Sequence, residues 1–138
     1  MRIFKTRVFV RFARKVKRSD KALTGAVSEV GRGLINADLG GGVIKQRIAR
    51  SGGGKSGGFR TIILFKARTR AVFVYGFEKS ARDNIADDEL EEFRRLADEM
   101  LSYRDEEIET ALAAGALIEV QHDEAVPQPD NGRDPRDG

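Results

Sequence analysis

Residues 43–79 read VIKQRIARSGGGKSGGFRTIILFKARTRAVFVYGFEK, and the fold turns on this stretch. Val43 to Arg50 is a strand-like run, Phe59 to Lys66 is rich in β-branched and aromatic residues, and Ala71 to Phe77 is almost wholly apolar. Runs of this length and composition predict strands. The glycine-rich segment Ser51 to Gly58 joins the first two as a hairpin, so three consecutive strands predict an antiparallel meander. The unbroken apolar character of the third run suits a central strand covered by helices. Side chains alternate across a strand, so Lys45 and Arg47 project together while Ile44 and Ile48 face the other way. Arg60 and Lys55 extend this cationic surface, and strict alternation places Phe73, Tyr75 and Phe77 on one side of the third strand, with Lys79 next.

Working outward, Arg2 to Val8 predicts a first strand, and two helices follow. Phe9, Phe12, Ala13 and Val16 recur at helical spacing, with Arg11, Arg14, Lys15, Lys17 and Arg18 on the other side. Ser19 or Asp20 caps the next helix, whose apolar stripe is Leu23, Ala26, Val27, Val30 and Leu34. Gly40, Gly41 and Gly42 break the chain before the meander. Beyond it, Asp87, Asp88 and Glu89 favour a helix N-terminus, with either aspartate able to cap. Leu90, Phe93, Ala97, Met100 and Leu101 form that helix's inner face. A short helix over Asp105 to Ala114, ended by Gly115, and a last strand over Leu117 to Val120 complete the order. The expected class is therefore α+β, with one domain over residues 1–120. Residues 121–138 hold all three prolines in a polar context and predict a disordered tail.

Composition narrows the function. With 138 residues, 40% of them hydrophobic, the chain can build one core. It contains no cysteine and one histidine, His122, which excludes a disulfide framework, a thiolate zinc site and a histidine metal cluster. The N-terminus lacks the apolar stretch of a signal peptide and no run reaches spanning length, so a cytoplasmic location is expected. The net charge of +3 conceals a division: residues 1–82 carry 20 Lys and Arg against four acids, a net of +16, and the remainder is net −13. So basic a body repels itself unless it meets a polyanion, which points to nucleic acid. Cations interleaved with rings suit single-stranded RNA in particular, by phosphate contact and base stacking. Gly54-Lys55-Ser56 suggests a phosphate loop, but the glycine required five residues before Gly54 is Ala49, and a strand follows where a helix is needed.

Three ordered blocks carry a family resemblance: Lys45-Gln46-Arg47-Ile48-Ala49-Arg50, Gly54-Lys55-Ser56-Gly57-Gly58-Phe59-Arg60, and Phe73-Val74-Tyr75-Gly76-Phe77-Glu78-Lys79. With Asp83-Asn84-Ile85, Glu89-Leu90 and Gly115-Ala116-Leu117-Ile118-Glu119-Val120, they make residues 2–120 resemble the RelE/HigB toxins of type II toxin–antitoxin systems. The resemblance implies a strand and two helices packed on an antiparallel sheet, followed by a C-terminal helix. It also implies an endoribonuclease that cuts messenger RNA, often in the ribosomal A site, needs no cofactor or metal, and is silenced by an antitoxin, commonly a helix-turn-helix protein. For such cleavage Tyr75 and a lysine crowded by other cations are the candidate proton carriers, with Lys45 and Lys79 foremost. Arg47 and Arg60 would clamp the phosphate, while Lys55, Phe77 and Arg82 would bind RNA. Related toxins often keep a histidine where this sequence has Tyr75-Gly76, which leaves the roles of acid and base open among these residues. A noncatalytic gyrase inhibitor of the ParE kind, or a nontoxic nucleic-acid-binding module, would share the fold.

Overall fold

The computed structural model describes residues 1–49 and 58–121. The elements run β1 (Arg2–Thr6), α1 (Arg7–Lys15), α2 (Asp20–Gly31), β2 (Ala37–Gly40), β3 (Val43–Ile48), β4 (Phe59–Lys66), β5 (Arg70–Glu78), α3 (Asp87–Met100), α4 (Asp105–Ala113) and β6 (Leu117–Glu119). They form one six-stranded sheet in the order β2-β3-β4-β5-β1-β6. The expected meander of β3, β4 and β5 is present and antiparallel. The sheet as a whole is mixed, because β1 returns beside β5 in parallel, Ile3 opposite Ala71 and Phe4 opposite Val72. The N-terminal strand thus joins the expected antiparallel sheet at its β5 side: the two helices between β1 and the meander carry the chain across, as a parallel pairing requires.

Helices cover both faces. Phe9 and Ala13 of α1 and Leu23, Ala26 and Val27 of α2 pack with Ile3, Ile48, Ile63, Ala71 and Phe73 on one side. Phe4, Val43, Ile62, Leu64, Val72 and Val74 face the other, against Ala97 of α3 and Ile108 of α4. Phe9 and Phe73 stack at 5.0 Å between ring centroids, and burying each ring contributes on the order of 1.5–3 kcal/mol. Three helices end alike: the backbone N–H of Arg18, Leu34 and Ala116 reaches back to the carbonyl of Ala13, Glu29 and Ala111, with Lys17, Gly33 and Gly115 in the left-handed region.

Several sequence expectations are redrawn by local chemistry. The first strand stops at Thr6, not Val8, because the Thr6 hydroxyl accepts from Phe9 N and starts α1. Ser19 caps α2 as expected, accepting from Ala22 N, but Leu34 falls beyond that helix and is exposed. Gly40, Gly41 and Gly42 do not merely break the chain. All three adopt positive φ and form the turn between β3 and a fourth meander strand, β2, which the sequence reading left out. The residue before α3 is Ala86, so neither aspartate caps; both lie in the first turn, and the Glu89 carboxylate accepts from Ala86 N at 2.7 Å. Arg50, Lys55 and the polar tail from His122 onward lie outside the described residues.

Candidate nucleic-acid interface

The side chains of interest occupy three adjacent strands in two neighbouring rows. Arg47 of β3 stands opposite Arg60 of β4, which stands opposite Phe77 of β5. One step along, Lys45 is opposite Ile62 and Ile62 opposite Tyr75. Directly opposed residues on one face hold their Cβ atoms ~5 Å apart. The rows thus set three cations beside two rings, on the sheet face that α3 partly covers. Lys45, Arg47, Arg60 and Tyr75 are half-buried; Phe77 is buried, its ring 6.0 Å from that of Tyr75. Arg47 and Arg60 bring like charges face to face, an arrangement that favours an anion between them.

One residue expected on this face is elsewhere. The pairing of β4 with β5 shifts register between Ile62 and Ile63, which match Tyr75 and Phe73 and leave Val74 as an extra residue. Across this bulge the alternation breaks, so Phe73 faces α1 while Val74 and Tyr75 face the α3 side. Strict alternation therefore misplaced Phe73, though it placed Tyr75 and Phe77 together correctly. Lys79 lies past the end of β5 in an exposed turn and contacts none of the others through a hydrogen bond or ion pair.

The segment between β5 and α3 closes one side of the face. Arg82 lies over the rings of Tyr75 and Phe77, at 6.0 and 5.8 Å from their centroids, and donates to the Tyr75 hydroxyl at 3.1 Å. It is held by both carboxylate oxygens of Glu89, at 2.6 and 3.1 Å, and donates from Nε to the Asn84 carbonyl. Hydrogen bonds donated to Glu89, and secondarily to Tyr75, hold the Arg82 guanidinium still more firmly in its charged form. Reciprocally, Arg82 and the Ala86 N–H keep the Glu89 carboxyl below the usual carboxylate range. Lys45 Nζ donates to Asn84 Oδ1 at 3.1 Å, and the same oxygen accepts from Ile85 N. On the other side Asn36 Oδ1 accepts from Arg47 N at 2.6 Å. Phe93 of α3 packs on Tyr75 at 5.8 Å.

Asn84, Glu89 and Phe93 had no assigned part in the site on sequence. Glu89 carried one usable signal, its place three residues after Ala86, where a carboxylate folds back on a helix N-terminus. That this also delivers it to Arg82 depends on the path of residues 79–86. Among the described residues no group of His, Asp and Glu is placed to hold a metal ion.

A family model for the RelE toxin of the RelE / RelB toxin-antitoxin system matches residues 1–120. The chain belongs to the RelE toxin family. No curated protein matches it. Membership makes the chain a toxin of a toxin–antitoxin pair with a cognate antitoxin as partner, in a family whose toxins generally cleave messenger RNA. The face on β3, β4 and β5 lies within the matched residues, and no described helix of this toxin is long and apolar enough to cross a membrane.

Proposed function

We propose that this toxin is a metal-independent endoribonuclease that cuts messenger RNA at the face formed by Lys45, Arg47, Arg60, Tyr75 and Phe77, on the ribosome, and so stops translation. The observation that carries the reading is the two-row arrangement itself, with three cations and two rings on one face of three paired strands. RNA supplies its own nucleophile. The 2′-hydroxyl attacks the adjacent phosphorus, the bond to the 5′-oxygen breaks, and the products carry a 2′,3′-cyclic phosphate and a 5′-hydroxyl. The protein must take the 2′ proton, stabilise the phosphorane and protonate the leaving oxygen.

Arg47 and Arg60 sit where a bridging phosphate would be gripped from two strands, and as guanidiniums they supply charge and not protons. The Tyr75 oxygen accepts from Arg82, so its own proton remains available, which suits it to protonate the leaving group. Lys45, fixed by Asn84, lies in the same row and is the group assigned to the 2′-hydroxyl side. Phe77 and Arg82 would bind neighbouring nucleotides by stacking and charge. Lys55 and Lys79 would contact the RNA backbone, and Lys79 is the second lysine to test as a proton carrier. The antitoxin that silences it is proposed to be a helix-turn-helix protein.

The test is induction of Lys45→Ala/Arg60→Ala beside the parent, with mapping of RNA ends. The parent should arrest growth and produce new 5′-hydroxyl ends in messenger RNA, whereas the double variant should do neither while keeping the parent's circular dichroism. Full toxicity of the variant would overturn the site. Intact messenger RNA with DNA damage after parent induction would overturn the reaction in favour of gyrase inhibition.

A further inference from the structure

We propose that the outer face of α1 is a second RNA-binding surface, distinct from the β3–β5 face, which takes the phosphate backbone of a double-helical RNA segment. The proposal rests on the RNA reading above for its ligand class, and on separate residues for its place. α1 packs on the opposite side of the sheet, through Phe9 and Ala13 against Phe73 and Ile63. Its other side carries Arg7, Arg11, Arg14 and Lys15, with Lys17 just beyond, all exposed and their side chains all without a hydrogen bond or ion pair to any described residue.

The nearby acids are committed elsewhere. Asp20 accepts from Lys5 Nζ at 2.8 Å, and Glu109 and Glu119 both accept from Arg2. The helix has no acid of its own. Helix stability does not account for the pattern either. Arg14 and Lys15 sit in the last turn, where the macrodipole favours cations, but Arg7 occupies the first turn, where a cation opposes it. Arg7, Arg11 and Arg14 follow one another at i, i+4 and i+7, which lines them along one stripe ~10 Å long at ~1.5 Å per residue. A row of that length meets more than one phosphate of a backbone.

The chemistry of this face selects duplex over single strand. Single strands are held by stacking platforms as well as charge. Here the aromatic residues of α1 point inward: Phe9 is buried, and Phe12 packs on Phe59 at 5.8 Å. The one exposed large apolar residue on the helix is Val8. Double-helical RNA is bound through phosphates and 2′-hydroxyls without base stacking, as this surface requires. The shortage of apolar anchors likewise disfavours an acidic peptide, which would need them to dock.

The experiment measures binding of the full-length toxin to a blunt RNA duplex of about 16 base pairs, long enough to present successive minor grooves, by fluorescence anisotropy across a salt series. Arg7→Gln/Arg11→Gln/Arg14→Gln should weaken binding at least tenfold and lower the slope of log K against log salt by about 2–3, near 0.9 per lost phosphate contact. Lys45→Ala/Arg60→Ala, on the other face of the sheet, should lose less duplex affinity than the triple variant. The surface is overturned if the parent fails to bind duplex at low salt, if the triple variant binds normally, or if the loss appears only in the double variant. Normal duplex binding by the triple variant together with lost capture of the co-expressed antitoxin would also overturn it, in favour of a protein partner. A parent that binds duplex through α1 but produces no new RNA ends supports this surface and refutes the proposed cleavage, so the two readings fail separately.

Discussion

Gly76 lies between Tyr75 and Phe77 on β5 but faces the other side of the sheet, under the ring of Phe12. A Cβ at this position would lie 2.4 Å from both Cδ2 and Cε2 of that ring, far inside van der Waals contact. The ring has little freedom to retreat. It packs edge-on against Phe59 at 5.8 Å and tilted against Phe9 at the same separation, so moving it loosens the aromatic cluster that seats α1. Overpacking of this kind costs ~1–3 kcal/mol. Alanine recovers roughly 0.5–1 kcal/mol from the reduced backbone entropy of the unfolded chain. Gly76→Ala should therefore destabilise by about 1–2 kcal/mol, lowering the melting temperature by roughly 4–10 °C for a domain of this size. The assay is urea unfolding of Gly76→Ala, Phe12→Ala and the double variant. Because the cost is a collision with one ring, Phe12→Ala should remove it, giving a coupling of ~1 kcal/mol or more between the sites. An unchanged midpoint in Gly76→Ala, or an equal loss in the Phe12→Ala background, would refute the reasoning. If the strand and not the ring gives way, Tyr75 and Phe77 shift with it, and growth arrest should weaken in step with stability.

Gln46 is buried and ties the α2–β2 linker to β3, accepting from Asn36 N at 3.0 Å and donating to the Leu34 carbonyl at 2.9 Å. Gln46→Leu keeps the volume and strands both backbone groups, which should cost ~1–3 kcal/mol in thermal unfolding. Since Asn36 also orders Arg47 N, the same change should reduce growth arrest at a temperature where the variant remains folded. Glu89 titrates below the usual carboxylate range in the folded toxin, so its pairing stabilises the fold above the unfolded carboxyl's pKa, ~4.3, and that contribution is lost as pH falls through the lower folded value. Glu89→Gln should flatten the acid limb of the stability profile below about pH 4.5 and leave its alkaline limb unchanged. An identical acid limb in the variant would show that the pair contributes nothing.

The strands of the site were legible because they combine two signals: β-branched and aromatic content for the backbone, and period-two alternation for the faces. Lys45, Arg47 and Arg60 fell on one face by alternation alone, and the pairing of β3 with β4 puts them there. Alternation failed at Phe73 because it is a rule about regular pleats, and a single extra residue, Val74, resets it without leaving any mark in composition. The strand β2 was missed for a related reason. Ala37-Asp38-Leu39-Gly40 is too short and too poor in β-branched residues to register as a strand, and it exists because three consecutive glycines with positive φ fold it back onto β3. The parallel pairing of β1 with β5 has no local signature at all, since it joins residues nearly seventy positions apart and is fixed by how the helices pack.

The charge division near Arg82 was equally plain in the sequence, but its meaning is structural. The basic part of the chain ends on the residue that crosses the rings of the site, and the acidic part begins with the segment that holds it: Glu89 grips the Arg82 guanidinium while Asn84 takes Lys45. A surface of net +16 would otherwise scatter its long side chains into solvent to reduce mutual repulsion. Two polar groups from the acidic half fix two cations of the basic half, and they do so on one edge of the face only. The Arg60 side chain, across the row, has no hydrogen bond or ion pair among the described residues. Lys45 and, through Arg82, Tyr75 are therefore each held by a polar contact, and under the proposed cleavage Arg60 is the charge left to meet an incoming phosphate.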